Sequence, residues 1–170
     1  VNELELRLIS REELDEAITL ERRCYSPEAA ASLEGFQFRF DHYLAFFWTA
    51  WLGNRLVGMT NGIRTGKSSC GDEMKGDQAD ERDGRNFCVL TVAVDENQRR
   101  QGIGAKLLRK LIEQCEVQHI EKVILMCEEH LIPFYMAEQF ELKGVSASTH
   151  GGITWYEMSR ELHKLKHLTE

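Results

Sequence analysis

The stretch that most constrains this chain is Val92-Ala93-Val94-Asp95-Glu96-Asn97-Gln98-Arg99-Arg100-Gln101-Gly102-Ile103-Gly104-Ala105. A β-branched strand here runs through a basic, glycine-containing turn into an amphipathic helix, so a strand end and a helix N-terminus must lie side by side. Two glycines spaced one apart let backbone approach a ligand closely, and the first N–H groups of the helix have no intrahelical acceptor. The helix dipole favours an anion at that end, and Arg99 and Arg100 add full positive charges.

Three anion-binding patterns fit such a junction, and spacing separates them. A Walker loop needs Gly-Lys-Ser/Thr, which does not follow Gly104. A dinucleotide fingerprint needs a third glycine, which is absent. What remains is Arg99-x-x-Gly102-x-Gly104 after a valine-rich strand, with a plain strand-to-helix turn as the alternative.

The 170 residues predict one domain, residues 1–162, carrying a polar loop insertion at 64–85 and ending in a polar tail, 163–170. The formal charge of −7 argues against nucleic acid as a partner and modestly favours cationic ones such as amines. No uncharged apolar run reaches membrane-spanning length, and the acidic start does not read as a signal peptide, so a cytoplasmic protein without membrane partners is expected. The five cysteines, Cys24, Cys70, Cys88, Cys115 and Cys127, are scattered without metal or redox spacing. Reduced thiols and no metal are expected from them.

Along the chain, Leu4, Leu6 and Leu8 alternate as a first strand, and Ser10-Arg11-Glu12-Glu13 forms a capping box before a helix. Pro27 predicts the first turn of a second helix through Ala29-Ala30-Ala31, followed by a further helical piece through Phe36, Phe40 and Tyr43. Apolar residues from Leu44 to Leu52, the Gly53-Asn54 turn and Arg55 to Ile63 predict a hairpin. The run from Arg64 to Arg85 lacks apolar periodicity and predicts a disordered loop in the free protein, with a lid as the alternative. Asn86 to Val94 is nearly all apolar, a central strand buried on both faces. Ile103, Leu107, Leu108, Leu111, Ile112 and Cys115 stripe the next helix, and Val123 to Cys127 is a short strand parallel to the central one. A short helix starts at Pro133, a strand begins at Glu141, Gly151-Gly152 turns, and Ile153 to Met158 forms the last strand.

Taken together, the loop at 99–105, Leu125-Met126-Cys127-Glu128, Leu131-Ile132-Pro133-Phe134-Tyr135 and Ile153-Thr154-Trp155-Tyr156-Glu157-Met158 resemble the GNAT superfamily of N-acetyltransferases. Within it they resemble the arylalkylamine (serotonin) N-acetyltransferase branch, and Tyr25-Ser26-Pro27-Glu28-Ala29-Ala30 is similar to its non-vertebrate members. The resemblance implies an α/β (α+β) GNAT fold, a mixed central β-sheet with splayed parallel strands flanked by helices. It implies acetyl-CoA as cofactor, held by Val92, Val94, Arg99, Arg100, Gln101, Gly102, Ile103, Gly104 and Ala105. It also implies a small-molecule amine substrate bound by Tyr25, Met126, Ile153 and Trp155, four residues that could equally be core. The expected assembly is a monomer or weak homodimer.

Direct acyl transfer needs a neutral amine, a stabilised oxyanion and a protonated leaving thiolate. Tyr135 matches the family's tyrosine beside the sulfur, a candidate general acid. The positions matching the vertebrate histidine pair are Cys88 and Leu90, of which Leu90 cannot take a proton and Cys88, on a buried strand, reads as a packing residue rather than a base. Glu28 matches the glutamate of insect relatives and is the candidate catalytic base, its other reading being a helix N-terminal residue. The alternatives are a polyamine or protein acetyltransferase of the same fold, or a CoA-binding module without turnover.

Overall fold

The computed structural model describes residues 3–71, 82–148 and 150–162. The alternating leucines form β1 (Leu4–Leu8). The Ser10 capping box is present, with the Glu13 carboxylate accepting from the Ser10 N–H at 2.9 Å and from Arg7 at 2.6 Å, and it leads into α1 (Leu14–Cys24). The helix expected through Ala29–Ala31 does not form. Residues 27–29 make a turn, and the Ala31 N–H donates to the Glu21 carboxylate at 2.8 Å. Helix α2 (Leu33–Tyr43) starts only after Ser32, whose hydroxyl oxygen accepts from the Gly35 N–H at 3.0 Å. Three alanines offer no such cap, and Ser32 does.

The hairpin forms as β2 (Trp48–Leu52) and β3 (Arg55–Thr65), with Leu44–Phe46 coiled in a tight helical turn rather than extended. Arg64 and Thr65 therefore belong to β3 and not to the predicted insertion, half of whose remainder, 72–81, lies outside the described residues, as does the tail. Then follow β4 (Asn86–Val94), α3 (Ile103–Val117), β5 (Lys122–Cys127), α4 (Ile132–Ala137), β6 (Glu141–Val145) and β7 (Tyr156–Glu161). The last strand begins three residues later than its alternation suggested. Gly151 and Gly152 both have positive φ, and the chain stays irregular through Trp155.

The seven strands make one mixed sheet in the order β1-β2-β3-β4-β5-β7-β6. All neighbours are antiparallel except β4 and β5, which run parallel as the strand-helix-strand pattern requires. That pair is short: Asn86, Phe87 and Cys88 face Lys122, Val123 and Ile124, and the strands then diverge. Leu90 is an extra residue in β4, because Asn61 faces Thr91 while Gly62 faces Val89. A bulge bends its strand, and this one sits where β4 leaves β5. Helix α3 covers one face with Ile103 and Leu107 against Ala50 and Val57, and α1 and α2 cover the other with Leu14, Ile18 and Phe36 against Trp51 and Met59. No helix among the described residues is long and apolar enough to cross a membrane.

The expectation of five reduced thiols is corrected. Cys70 and Cys88 are joined by a disulfide, their Cα atoms 6.4 Å apart, while Cys24, Cys115 and Cys127 are free. The connection after β3 folds back over β4, a long-range event that cysteine spacing does not encode.

Behind the bulge lies a buried polar cluster. Arg39 donates to the Asn61 side-chain oxygen at 2.7 Å and to the Thr91 hydroxyl at 3.3 Å, and Thr91 in turn donates to the Glu21 carboxylate at 3.2 Å. Burial brings the Arg39 guanidinium down to about 10, with Glu21 opposing. It ties α1, α2, β3 and β4 together at one point. Arg39→Met leaves Glu21 buried without its cation and is expected to cost about 3–5 kcal/mol of unfolding free energy. Urea denaturation measures it, and a loss no larger than that of an exposed substitution such as Glu113→Gln counts against the cluster as a brace.

Candidate active site

Where β4 and β5 diverge, a cavity of about 590 Å³ opens between the end of β4 and the segment that follows β5 from Glu128. Cys24 and Tyr25 at the end of α1, Val92 to Val94 on β4, the turn into α3, and Phe134, Tyr135 and Glu138 from α4 and just beyond form its walls. The turn is built by Asp95. Its backbone N–H donates to the Val57 carbonyl at 2.8 Å, and its carboxylate accepts from the Asn97 N–H at 3.1 Å, from Arg55 at 3.0 Å and from Arg23 at 3.5 Å. The Asn97 N–H, with Arg55 and Arg23 and against the effect of burial, holds this carboxyl below the ordinary aspartate range. Asp95 is not among the residues that motif spacing singles out, although a small acidic residue closing a strand is a turn signal.

Beyond it Arg100 and Gly102 both take left-handed backbone, φ +65° and +81°. Helix α3 starts with Gly102 as its N-cap and so has no side-chain cap, and no acidic residue lies in its first turn. Its first intrahelical bond runs from the Lys106 N–H to the Gly102 carbonyl at 3.0 Å. The N–H groups of Ile103, Gly104 and Ala105 thus remain for an anion.

Of the nine predicted cofactor-binding residues, Val92, Val94, Arg99, Arg100, Gly102, Ile103, Gly104 and Ala105 line this cavity, and Gln101 is exposed beside it. The Val92 carbonyl accepts from the Tyr25 hydroxyl at 3.1 Å, and the Val94 carbonyl from Arg99 Nε at 3.1 Å.

Tyr135 is buried in the cavity wall between Phe134 and Phe140, ring centroids 4.9 and 5.7 Å away. Burial, with a smaller effect from Cys127, pushes its phenol well above the ordinary tyrosine value, so it keeps its proton at neutral pH. Burial likewise raises Tyr25 and takes the Cys127 thiol up to about 11.

The predicted acceptor residues do not all meet. Met126 and Trp155 line a second, small cavity with Cys70, Val89 and Leu90, just beyond the last β4–β5 pair. Tyr25 lines the large cavity instead, and half-buried Ile153 lines neither. Glu28 is exposed on the turn after α1, and its neighbour Ala29 packs against Gly151. The lining by Cys24, Glu128, His130 and Glu138 carries no sequence signal, since it depends on how α4 and the end of α1 pack across the strand gap.

Residues 12–139 match the model of the Acetyltransferase (GNAT) family. The chain belongs to the GNAT acetyltransferase family. Serotonin N-acetyltransferase of Mesocricetus auratus is 34% identical over 80 residues, which are 46% of this chain and 39% of that protein. The loading GNATL domain of CurA from Lyngbya majuscula superposes with a TM-score of 0.84 at 16% identity, covering 98% of this chain and 100% of that one. Arabidopsis thaliana Naa50, solved with the bisubstrate analogue CoA-Ac-MVNAL, superposes with a TM-score of 0.74 at 16% identity, covering 94% and 99%.

A GNAT acetyltransferase takes its acyl group from acetyl-CoA, and the uncapped α3 terminus with Arg99 and Arg100 suits that donor's pyrophosphate. Arg100→Ala is expected to weaken CoA binding about ten-fold at low salt and less at high salt, read by calorimetry. Gly102→Val is expected to cost roughly 1–2 kcal/mol of stability through its backbone angle alone. No atom stands within 4 Å of where its Cβ would be.

Proposed function

We propose that this protein is an acetyl-CoA-dependent N-acetyltransferase that moves the acetyl group directly to a small primary amine, an arylalkylamine. The observation that carries this reading is Tyr135, a buried phenol held protonated in the wall of the gap between β4 and β5. The thioester of acetyl-CoA supplies the acyl group. Val92, Val94 and residues 99–105 hold the donor, and Tyr135 is the general acid, delivering its proton to the departing sulfur.

Two cysteines that could have carried the acetyl group instead are poorly suited to it. Cys88 is in a disulfide, and the Cys127 thiol, at about 11, is almost wholly protonated at neutral pH. Direct transfer follows. The acceptor's ring belongs beside Met126 and Trp155, with Tyr25 and Ile153 flanking the approach. Glu28, facing solvent, takes the ammonium proton and passes it to water. The partial match to serotonin N-acetyltransferase supports the aryl acceptor, and the net negative charge of the chain suits a cationic amine.

The test is CoA release from acetyl-CoA with tryptamine, tyramine, spermidine and a peptide, the last two standing for the other acceptor classes. Tyr135→Phe is expected to lower kcat on aryl amines about a hundred-fold with little change in the KM for acetyl-CoA. Glu28→Gln is expected to lower kcat/KM near neutral pH and to recover as pH rises, because more of the amine is then already neutral. Selective turnover of spermidine or peptide overturns the aryl acceptor, and silence with every amine overturns transfer in favour of a CoA-binding module.

A further inference from the structure

The small cavity just beyond the last β4–β5 pair has walls of two kinds. Val89 and Leu90 belong to β4 and Met126 to β5, while Trp155 closes the irregular stretch just before β7. Cys70 comes from outside the sheet, five residues after β3 ends, and is held by its disulfide to Cys88. Cys88 is the last β4 residue paired with β5, so the crosslink pins Cys70 at the apex of the gap.

With this wall in place the cavity measures about 10 Å³. That is room for one water at most, whereas a cavity that takes a benzene-sized ring is about 150 Å³. The residues on which the proposed function seats an aryl ring therefore enclose too little space for one while Cys70 is tied to Cys88. The backbones that carry Val89, Leu90 and Met126 run in strands, so Cys70 is the wall whose place depends on the crosslink. That wall can yield, because the crosslink closes an 18-residue separation whose conformational freedom returns when it opens.

We propose that the Cys70–Cys88 disulfide shuts the aryl subsite and that its reduction by a cellular dithiol or monothiol opens it, making Cys70 a redox-controlled determinant of acceptor specificity. The inference rests on the acceptor side of the proposed function. In the step, a reductant thiolate attacks one crosslink sulfur and expels the other as a thiolate, which takes a proton. A second reductant thiol displaces the mixed disulfide. The protein gains two electrons and two protons, and the reductant leaves as its disulfide.

The experiment uses the full chain purified without reductant and the same sample after dithiothreitol. Thiol counting on denatured protein is expected to find three free thiols before reduction, those of Cys24, Cys115 and Cys127. Finding all five free before reduction overturns the proposal. Calorimetry with tryptamine, CoA present, is expected to show at least about ten-fold tighter binding after reduction, with CoA affinity itself unchanged. Cys70→Ser, without reductant, is expected to bind tryptamine as the reduced wild type does, and reduction of the wild type needs no variant to fold. Equal or weaker tryptamine binding after reduction overturns the proposal. Tight binding by the reduced protein without CoA release from acetyl-CoA supports the gate while overturning the transfer reading. No tryptamine binding in either state overturns the gate, and turnover of spermidine or peptide then leaves acetyl transfer standing.

Discussion

Everything in the site depends on the parallel pairing of β4 and β5 stopping after three residues. A β-sheet normally satisfies its backbone groups strand against strand, and a gap in the middle of one leaves donors and acceptors that must find other partners. Side chains meet some of that demand here. The Val92 carbonyl takes the Tyr25 hydroxyl, and the Val94 carbonyl takes Arg99 and the Cys24 thiol. The elements that supply these side chains, the end of α1 and the turn before α3, are therefore walls of the gap because they repair it. A long, extended ligand running between the strands can meet the rest.

Such a gap needs a rigid frame, since nothing across it resists closure. On the β3 side the frame is polar: Glu21, Thr91, Arg39 and Asn61 link two helices and two strands around the bulge at Leu90. On the β5 side it is the antiparallel pairing with β7, which continues to Cys127 after β4 has left. Asp95 extends the frame further along the chain, anchoring the anion-binding turn to β3 through Arg55 and to α1 through Arg23. Both arginines are more than half exposed, so these two ion pairs fix geometry more than they add stability.

What the sequence made legible follows the range of the forces involved. The strand, turn and helix at residues 86–117, the Ser10 capping box and the β2–β3 hairpin rest on contacts between near neighbours, and their residue patterns displayed them. The eight cavity-lining residues among the predicted cofactor contacts were legible for the same reason, being nearly contiguous. The failures are long-range. The segment around Ala29 is a turn, its exit held by Glu21 reaching across to the Ala31 N–H, and β7 starts late where two left-handed glycines delay it. The Cys70–Cys88 bridge depends on a connection that doubles back, and Met126 and Trp155 prove to share a cavity with a cysteine that no motif joined to them. Tyr25 stands apart from that cavity at the end of α1, where it lines the large one, and Ile153 lines neither.

Burial also decides what kind of chemistry the gap favours. Desolvation penalises an anion, so the phenols of Tyr25 and Tyr135 and the thiols of Cys24 and Cys127 are all pushed toward their protonated forms. Groups that keep their protons at neutral pH are a poor source of nucleophiles, and Tyr25, Tyr135 and Cys24 in the cavity wall remain hydrogen-bond donors. Only one end of the cavity is strongly cationic, where Arg99, Arg100 and the α3 terminus converge. A ligand with an anionic end and a neutral reactive end therefore has one favourable orientation, with its charge at α3 and its reactive group toward Tyr135. On the proposed reading, the proton that completes the transfer comes from Tyr135, while the nucleophile arrives with the acceptor.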